Sequence, residues 1–157
     1  MTPRSQDAYE QHIVRLARGW IGTPYRHQAS CLHAGADCLG LLRGVWRALY
    51  GAEPAPIPPY GMGWFAPEGD EVLWQAARRY LHAKALEEER PGDVLLFRMQ
   101  DGVAARHLGI ATTLGAQAAF IHAYARHAVL ESPLSSPWRR RIVARFTFPK
   151  ETIQWPQ

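Results

Sequence analysis

Near the start of the chain apolar residues recur at helical spacing: Ile13, Leu16, Ala17 and Trp20 fall at i, i+3, i+4 and i+7, the pattern of a helix with one buried stripe. Asp7 and Glu10 have the spacing of a capping box, so this helix is expected to begin at Asp7. Gly22, Thr23 and Pro24 are expected to stop it. After a polar stretch to Ala36 a second helix is predicted, with Leu42, Val45, Trp46 and Leu49 on one face and Gly51 as its C-terminal stop. Asp37 and Cys38 then sit at its beginning. Proline and glycine crowd residues 51–67, which predicts a long, stiff surface loop. A third helix is expected from about Asp70, where Val72, Leu73, Ala76, Ala77 and Tyr80 keep helical spacing.

Past Arg90, Pro91 and Gly92 the pattern changes to short apolar runs separated by turn residues, at 94–99, 108–112, 118–124, 129–131 and 142–148. Helices first and strands second predict an α+β fold with an antiparallel sheet. The 157 residues, 47% hydrophobic and 20% charged, suit a single domain over 1–157. A chain of this size needs neither disulfides nor a metal to hold its core. No apolar run nears the ~20 residues that cross a bilayer, so no membrane insertion is expected. Residues 1–10 are polar, and the expectation is a protein synthesised in the cytoplasm without a signal peptide.

A net charge of +4 selects no partner by itself. The two cysteines, Cys31 and Cys38, are too few for a disulfide framework and point to a reducing compartment or a reactive thiol. Cys38 opens a helix, where unpaired N–H groups and the helix dipole favour thiolate. The plainer reading is a small buried core residue. His107 and His122 lie on neighbouring predicted strands joined near Leu114 and Gly115. A two-residue tip there sets His107 directly opposite His122, with Cβ atoms about 4.5 to 5.5 Å apart. A thiolate, a histidine that protonates a leaving amine and a third polar group that orients it are the parts of acyl transfer by a cysteine nucleophile. Such a site is expected to lose activity in mild acid, where thiolate and base are protonated.

These residues fall in motifs that resemble the NlpC/p60 family of cell-wall cysteine peptidases, and within it the small versions encoded beside phage tail genes and in gene transfer agents. In the family's order stand Gly22-Thr23-Pro24-Tyr25, Asp37-Cys38-Leu39-Gly40, Arg90-Pro91-Gly92-Asp93-Val94, His107-Leu108-Gly109-Ile110 and Phe120-Ile121-His122-Ala123. The resemblance spans residues 7 to about 148. It implies a papain-like core, with Cys38 as nucleophile, His107 as general base and later acid, and His122 as the residue that orients His107. It also implies that Tyr25 and Asp37 line the substrate cleft and that no metal or organic cofactor is used. The substrate would be a peptidoglycan stem peptide, cut between D-γ-glutamate and a diamino acid. The proline-rich loop with Trp64 and Phe65 resembles the tail-associated subgroup. That subgroup implies phage-like tail or baseplate partners and a place on the tail of a virion or gene transfer agent. Two departures are local: Arg26-His27-Gln28-Ala29 replaces a Trp-Gly-Gly type of loop, and Leu39 stands where serine is common.

Other readings compete. His27, Cys31, His33 and Cys38 offer four possible zinc ligands within twelve residues, but without a Cys-x-x-Cys knuckle. Otherwise Cys31 is a spare thiol, and His27 and His33 line the cleft or are solvated. Arg139, Arg140 and Arg141 raise nucleic-acid binding. Strand alternation would divide them between two faces, so a nucleic-acid partner is not expected. A catalytically inactive structural component of a phage-like tail remains the main alternative to an enzyme.

Overall fold

A computed structural model describes residues 2–55 and 71–150. The proline-rich loop from residue 56 onward, Trp64 and Phe65 included, lies outside the described residues. Helix α1 (Pro3–Arg18) begins earlier than the capping-box spacing predicts. Thr2 is its N-cap, accepting from Ser5 N–H, and Pro3 fills a first-turn position that needs no hydrogen-bond donor. Glu10 is buried, not capping, and accepts three bonds from the Arg90 guanidinium. The helix ends at Arg18, ahead of the predicted stop, with Gly19 as C-cap.

The polar stretch that follows folds into a small antiparallel pair, β1 (Ser30–Cys31) and β2 (Gly35–Ala36). Helix α2 (Cys38–Tyr50) then starts and stops where its sequence predicts, between Asp37 and Gly51, whose φ of 88° suits glycine. Trp20 lies across α2 at Gly44, where an added Cβ would come within 1.9 Å of the indole. Helix α3 (Val72–Tyr80) buries Leu73 and Ala77.

Six strands make one antiparallel sheet: β3 (His82–Lys84), β4 (Val94–Phe97), β5 (His107–Thr113), β6 (Ala119–Ala123), β7 (Val129–Pro133) and β8 (Ile142–Thr147), in the order β3-β8-β4-β5-β6-β7. Strand β3 has no counterpart among the predicted runs, because its His82, Ala83 and Lys84 carry no apolar alternation. The α+β expectation holds. All four residues of β4 are fully buried, so both faces of the sheet are covered. On one face Val94, Leu96, Leu108, Ile110, Ile121 and Phe146 meet α1, α2 and α3. On the other, Leu95, Phe97, Ala111 and Phe120 pack under Trp138.

Trp138 belongs to a short helix, α4 (Ser136–Arg141), which also carries Arg139, Arg140 and Arg141. The strand alternation expected for these arginines is therefore wrong. Pro137 in the first turn suits a helix and lacks the N–H a strand ladder needs. All three side chains lie at the helix end that favours cations.

The β5–β6 register also differs from the two-residue tip. A turn of 3-10 helix, Gly115–Gln117, and a bulge between Ala111 and Thr113 pair Ile110 with Ile121 and Ala111 with Phe120. Partner numbers thus sum to 231, where the simple tip gives 229. His107 and His122 are diagonal neighbours, not directly opposed. Because the slip is an even number of residues, both still project from one face.

The turn before β4 is held by charge. Asp93, buried, accepts from Arg145 at 2.7 Å, from Lys84 at 2.9 Å and from Arg90 N–H at 2.8 Å, while Arg145 is itself only 2% exposed. Removing the carboxylate would take from the buried guanidinium its shortest ion pair, leaving it, among the described residues, only Glu89 at 3.3 Å and the Leu86 carbonyl at 3.0 Å. Asp93→Ala is expected to lower unfolding free energy by about 3–5 kcal/mol in urea denaturation. A loss below about 1 kcal/mol would show that the network is not a structural anchor.

Candidate active site

Cys38 is placed by its neighbours on both sides. Asp37 caps α2 through Oδ1, which accepts from Gly40 N–H at 2.7 Å, and its Oδ2 accepts from Gln28 N–H at 2.7 Å. The carboxylate therefore ties the 26–37 loop to the helix and is itself buried. Gly40 lets the loop come close: a Cβ there would lie 1.8 Å from the Ala29 carbonyl oxygen. Leu39 and Leu108 sit in the same core cluster, which draws the first turn of α2 onto the start of β5.

The Cys38 thiol donates to the Arg106 carbonyl, with sulfur and oxygen 3.7 Å apart, and also faces the N–H of Leu108. The sulfur thus touches backbone on either side of His107. Half-buried Tyr25 lies beside it, its hydroxyl pushed up to about 12 by burial and by the acidic groups of Cys38 and Asp37.

His107 and His122 come together directly. His107 Nε2 and His122 Nδ1 are 2.8 Å apart, and His122 Nε2 is 2.9 Å from Ser132 Oγ. Among the described residues the His107 ring bonds to His122 and not to the sulfur, which is held by backbone. The rings sit in an aromatic enclosure. Trp138 lies 5.6 Å from His107 and 5.0 Å from His122, with Phe97, Phe120 and Tyr124 around them. Sequence reading missed Ser132, Tyr124 and Trp138. Ser132 lies one residue beyond a predicted strand, and Trp138 is hidden beside the arginine run. The β6–β7 register would have been the signal for Ser132, whereas Trp138 reaches the rings from the short helix Ser136–Arg141 and had none.

Electrostatics reverse one expectation. The helix start was expected to lower the thiol, but burial, followed by the negative charge of Asp37, pushes Cys38 up to about 12. Backbone N–H groups of Leu108, Leu39 and Cys38 oppose this and do not overcome it. Burial likewise lowers His107 to about 3, with His122 adding to it, and lowers His122 to about 4, with His127 adding. Each of these shifts favours the uncharged form, a neutral thiol and neutral imidazoles. Burial therefore favours the base form of His107 in mild acid, opposite to the protonation expected there from sequence.

The possible zinc ligands do not converge: among the described residues no group of three or more His, Cys, Asp or Glu is arranged to hold a metal. Cys31 and His33 are exposed, and His27 lies 3.9 Å from Asp37. Among the described residues, no helix is long and apolar enough to cross a membrane.

The sequence matches no protein-family model and no curated protein at a significant level. Solved structures do share the fold. The NlpC/p60 domain of the peptidoglycan hydrolase SagA is 21% identical with a TM-score of 0.58, over 88% of this chain and 98% of that one. An NLP/P60 family protein from Staphylococcus aureus, similar to lipoprotein, is 20% identical with a TM-score of 0.60, over 92% of this chain and 43% of its own. The peptidoglycan hydrolase RipB from Mycobacterium tuberculosis is 17% identical with a TM-score of 0.55, over 98% of this chain and 70% of its own. The chain thus spans less than half of the staphylococcal protein and nearly all of the SagA domain. Its α+β fold is that of NlpC/p60 domains.

Two measurements check the neutral site. Alkylation of Cys38 by iodoacetamide, read in a Cys31→Ser background, is expected to rise about tenfold per pH unit from pH 7 to 9.5 without levelling. A plateau with a midpoint below pH 8 would contradict the raised thiol. Stability carries the second signature. Both histidines bind protons more weakly folded than at the ordinary value of 6.5, so their contribution is whole above pH 6.5 and is lost as pH falls towards 4 and 3. The melting temperature of His107→Asn should fall less over that window than that of the wild type.

Proposed function

We propose that this chain is a cysteine hydrolase that cuts an amide bond in peptidoglycan stem peptides. One observation carries the reading: a thiol at a helix start rests on the backbone flanking a histidine whose ring is held by a second histidine. The shared fold with peptidoglycan hydrolases and the ordered motifs around Cys38, His107 and His122 support the substrate class.

In this mechanism the sulfur attacks the scissile carbonyl as the S–H proton passes to Nδ1 of His107, so no resting thiolate is needed. This step requires the His107 ring within hydrogen-bond reach of the sulfur. The N–H groups of Cys38 and Leu39 belong to the first turn of α2 and have no helical carbonyl to bond. They receive the oxyanion. Collapse of the tetrahedral adduct breaks the C–N bond, and His107 returns the proton to the departing amine. Water, activated by the same imidazole, then hydrolyses the thioester. His122 orients His107. Tyr25 borders the cleft beside the thiol, and Asp37 acts from beneath by holding the 26–37 loop against α2.

The preferred bond in this reading is D-γ-glutamyl to a diamino acid, and no metal or organic cofactor takes part. The resemblance to tail-encoded relatives supports a place on a phage-like tail, with tail or baseplate proteins as partners and the cell wall met during particle entry. The inactive structural component is the reading this replaces.

Mass spectrometry of muropeptides incubated with the pure protein tests both. Cys38→Ser and His107→Ala are each expected to lower release by about a thousandfold or more while circular dichroism stays unchanged. His122→Ala is expected to lower it by a smaller factor, about ten- to a hundredfold, because orientation is lost and the base remains. Equal release by wild type and Cys38→Ala would end the hydrolase reading and favour the structural one.

A further inference from the structure

We infer that Ser132 is a positioning residue that accepts a hydrogen bond from Nε2 of His122 and thereby sets the proton order of both imidazoles, an inference that rests on the hydrolase reading and adds a residue to that site. His107, His122 and Ser132 lie on three adjacent strands, β5, β6 and β7. Ser132 pairs with Phe120 and His122 with Leu130, so Ser132 is the diagonal neighbour of His122, as His122 is of His107. The three side chains step across one face of the sheet. Their contacts are 2.8 Å and then 2.9 Å.

A ring-to-ring nitrogen contact this short holds one proton between its two atoms, since two protons there would collide and none would leave two lone pairs facing. With both rings neutral, two arrangements satisfy the chain. In one, His107 Nε2–H donates to His122 Nδ1, and His122 Nε2–H donates to Ser132 Oγ. His107 Nδ1 is then a bare lone pair. In the other, every donor is reversed: the Ser132 hydroxyl donates to His122 Nε2, His122 Nδ1–H donates to His107 Nε2, and His107 Nδ1 carries a proton.

Only the first arrangement can take a proton from the Cys38 thiol. Ser132 accommodates it readily. A hydroxyl has two acceptor sites and a rotatable proton, and half-buried Ser132 on the outer strand β7 can turn that proton to water. His122 Nε2–H has no such freedom, because its ring is packed between Trp138, Phe120 and Tyr124. Without an acceptor at position 132, that N–H would lose its bond and the two proton orders would come closer in energy.

Nitrogen-15 NMR of the imidazoles in the full chain at neutral pH reads the order directly, with no substrate present. Bare Nδ1 and protonated Nε2 on both His107 and His122 are expected. Protonated Nδ1 on His122 in the wild type would overturn the inference. In Ser132→Ala the His122 signals should move towards a mixture of tautomers, and kcat on muropeptides should fall about tenfold with KM unchanged. Ser132→Thr, which keeps the hydroxyl, should restore both. Unchanged tautomers in Ser132→Ala would remove Ser132 from the role. If the wild type shows the expected proton order but no turnover, the order stands and the hydrolase reading falls.

Discussion

The geometry of the site depends on how closely the first turn of α2 lies on the start of β5. Leu39 and Leu108 share the helix-side core, and apolar burial there presses the two elements together. Asp37 and Gly40 make the approach possible from the other side. The carboxylate satisfies one helix N–H and one loop N–H at once, and the glycine leaves room for the Ala29 carbonyl. Cys38 sits between these constraints, so its sulfur has little choice but to face the backbone of Arg106 and Leu108.

That placement decides the electrostatics. A helix start favours a nearby negative charge by typically 0.3–1 kcal/mol, rising to about 2 in partly buried geometries. Removing an ionisable group from water can shift its pKa by up to about 3–5 units, each worth about 1.4 kcal/mol. Desolvation is the larger effect at Cys38, and the adjacent Asp37 adds to it. The same burial keeps His107 and His122 unprotonated.

The far face of the sheet has its own logic. Phe97, Phe120 and Trp138 enclose the imidazoles, and Arg141 stacks on Trp138 with its guanidinium 5.4 Å from the ring. The short helix α4 thus closes the chamber that holds the rings. Arginines that read as a charge run in sequence lie on its outer side, with Arg139 pairing to Glu89.

Local chemistry in the chain determined more of this protein than the long-range geometry did. Helical periodicity placed α2 and α3, the polar stretch to Ala36 and Gly51 bounded α2, and short apolar runs marked five of the strands, because each depends on neighbours a few residues apart. The even register slip explains why the shared face of His107 and His122 was legible although their pairing was not: face depends on parity, whereas pairing depends on the bulge between Ala111 and Thr113. Only the tertiary structure brought Ser132 and Trp138 to the imidazoles. It also reversed the sign expected for the thiol. Both results come from burial and from contacts between distant strands, and neither quantity exists until the sheet has closed against its helices.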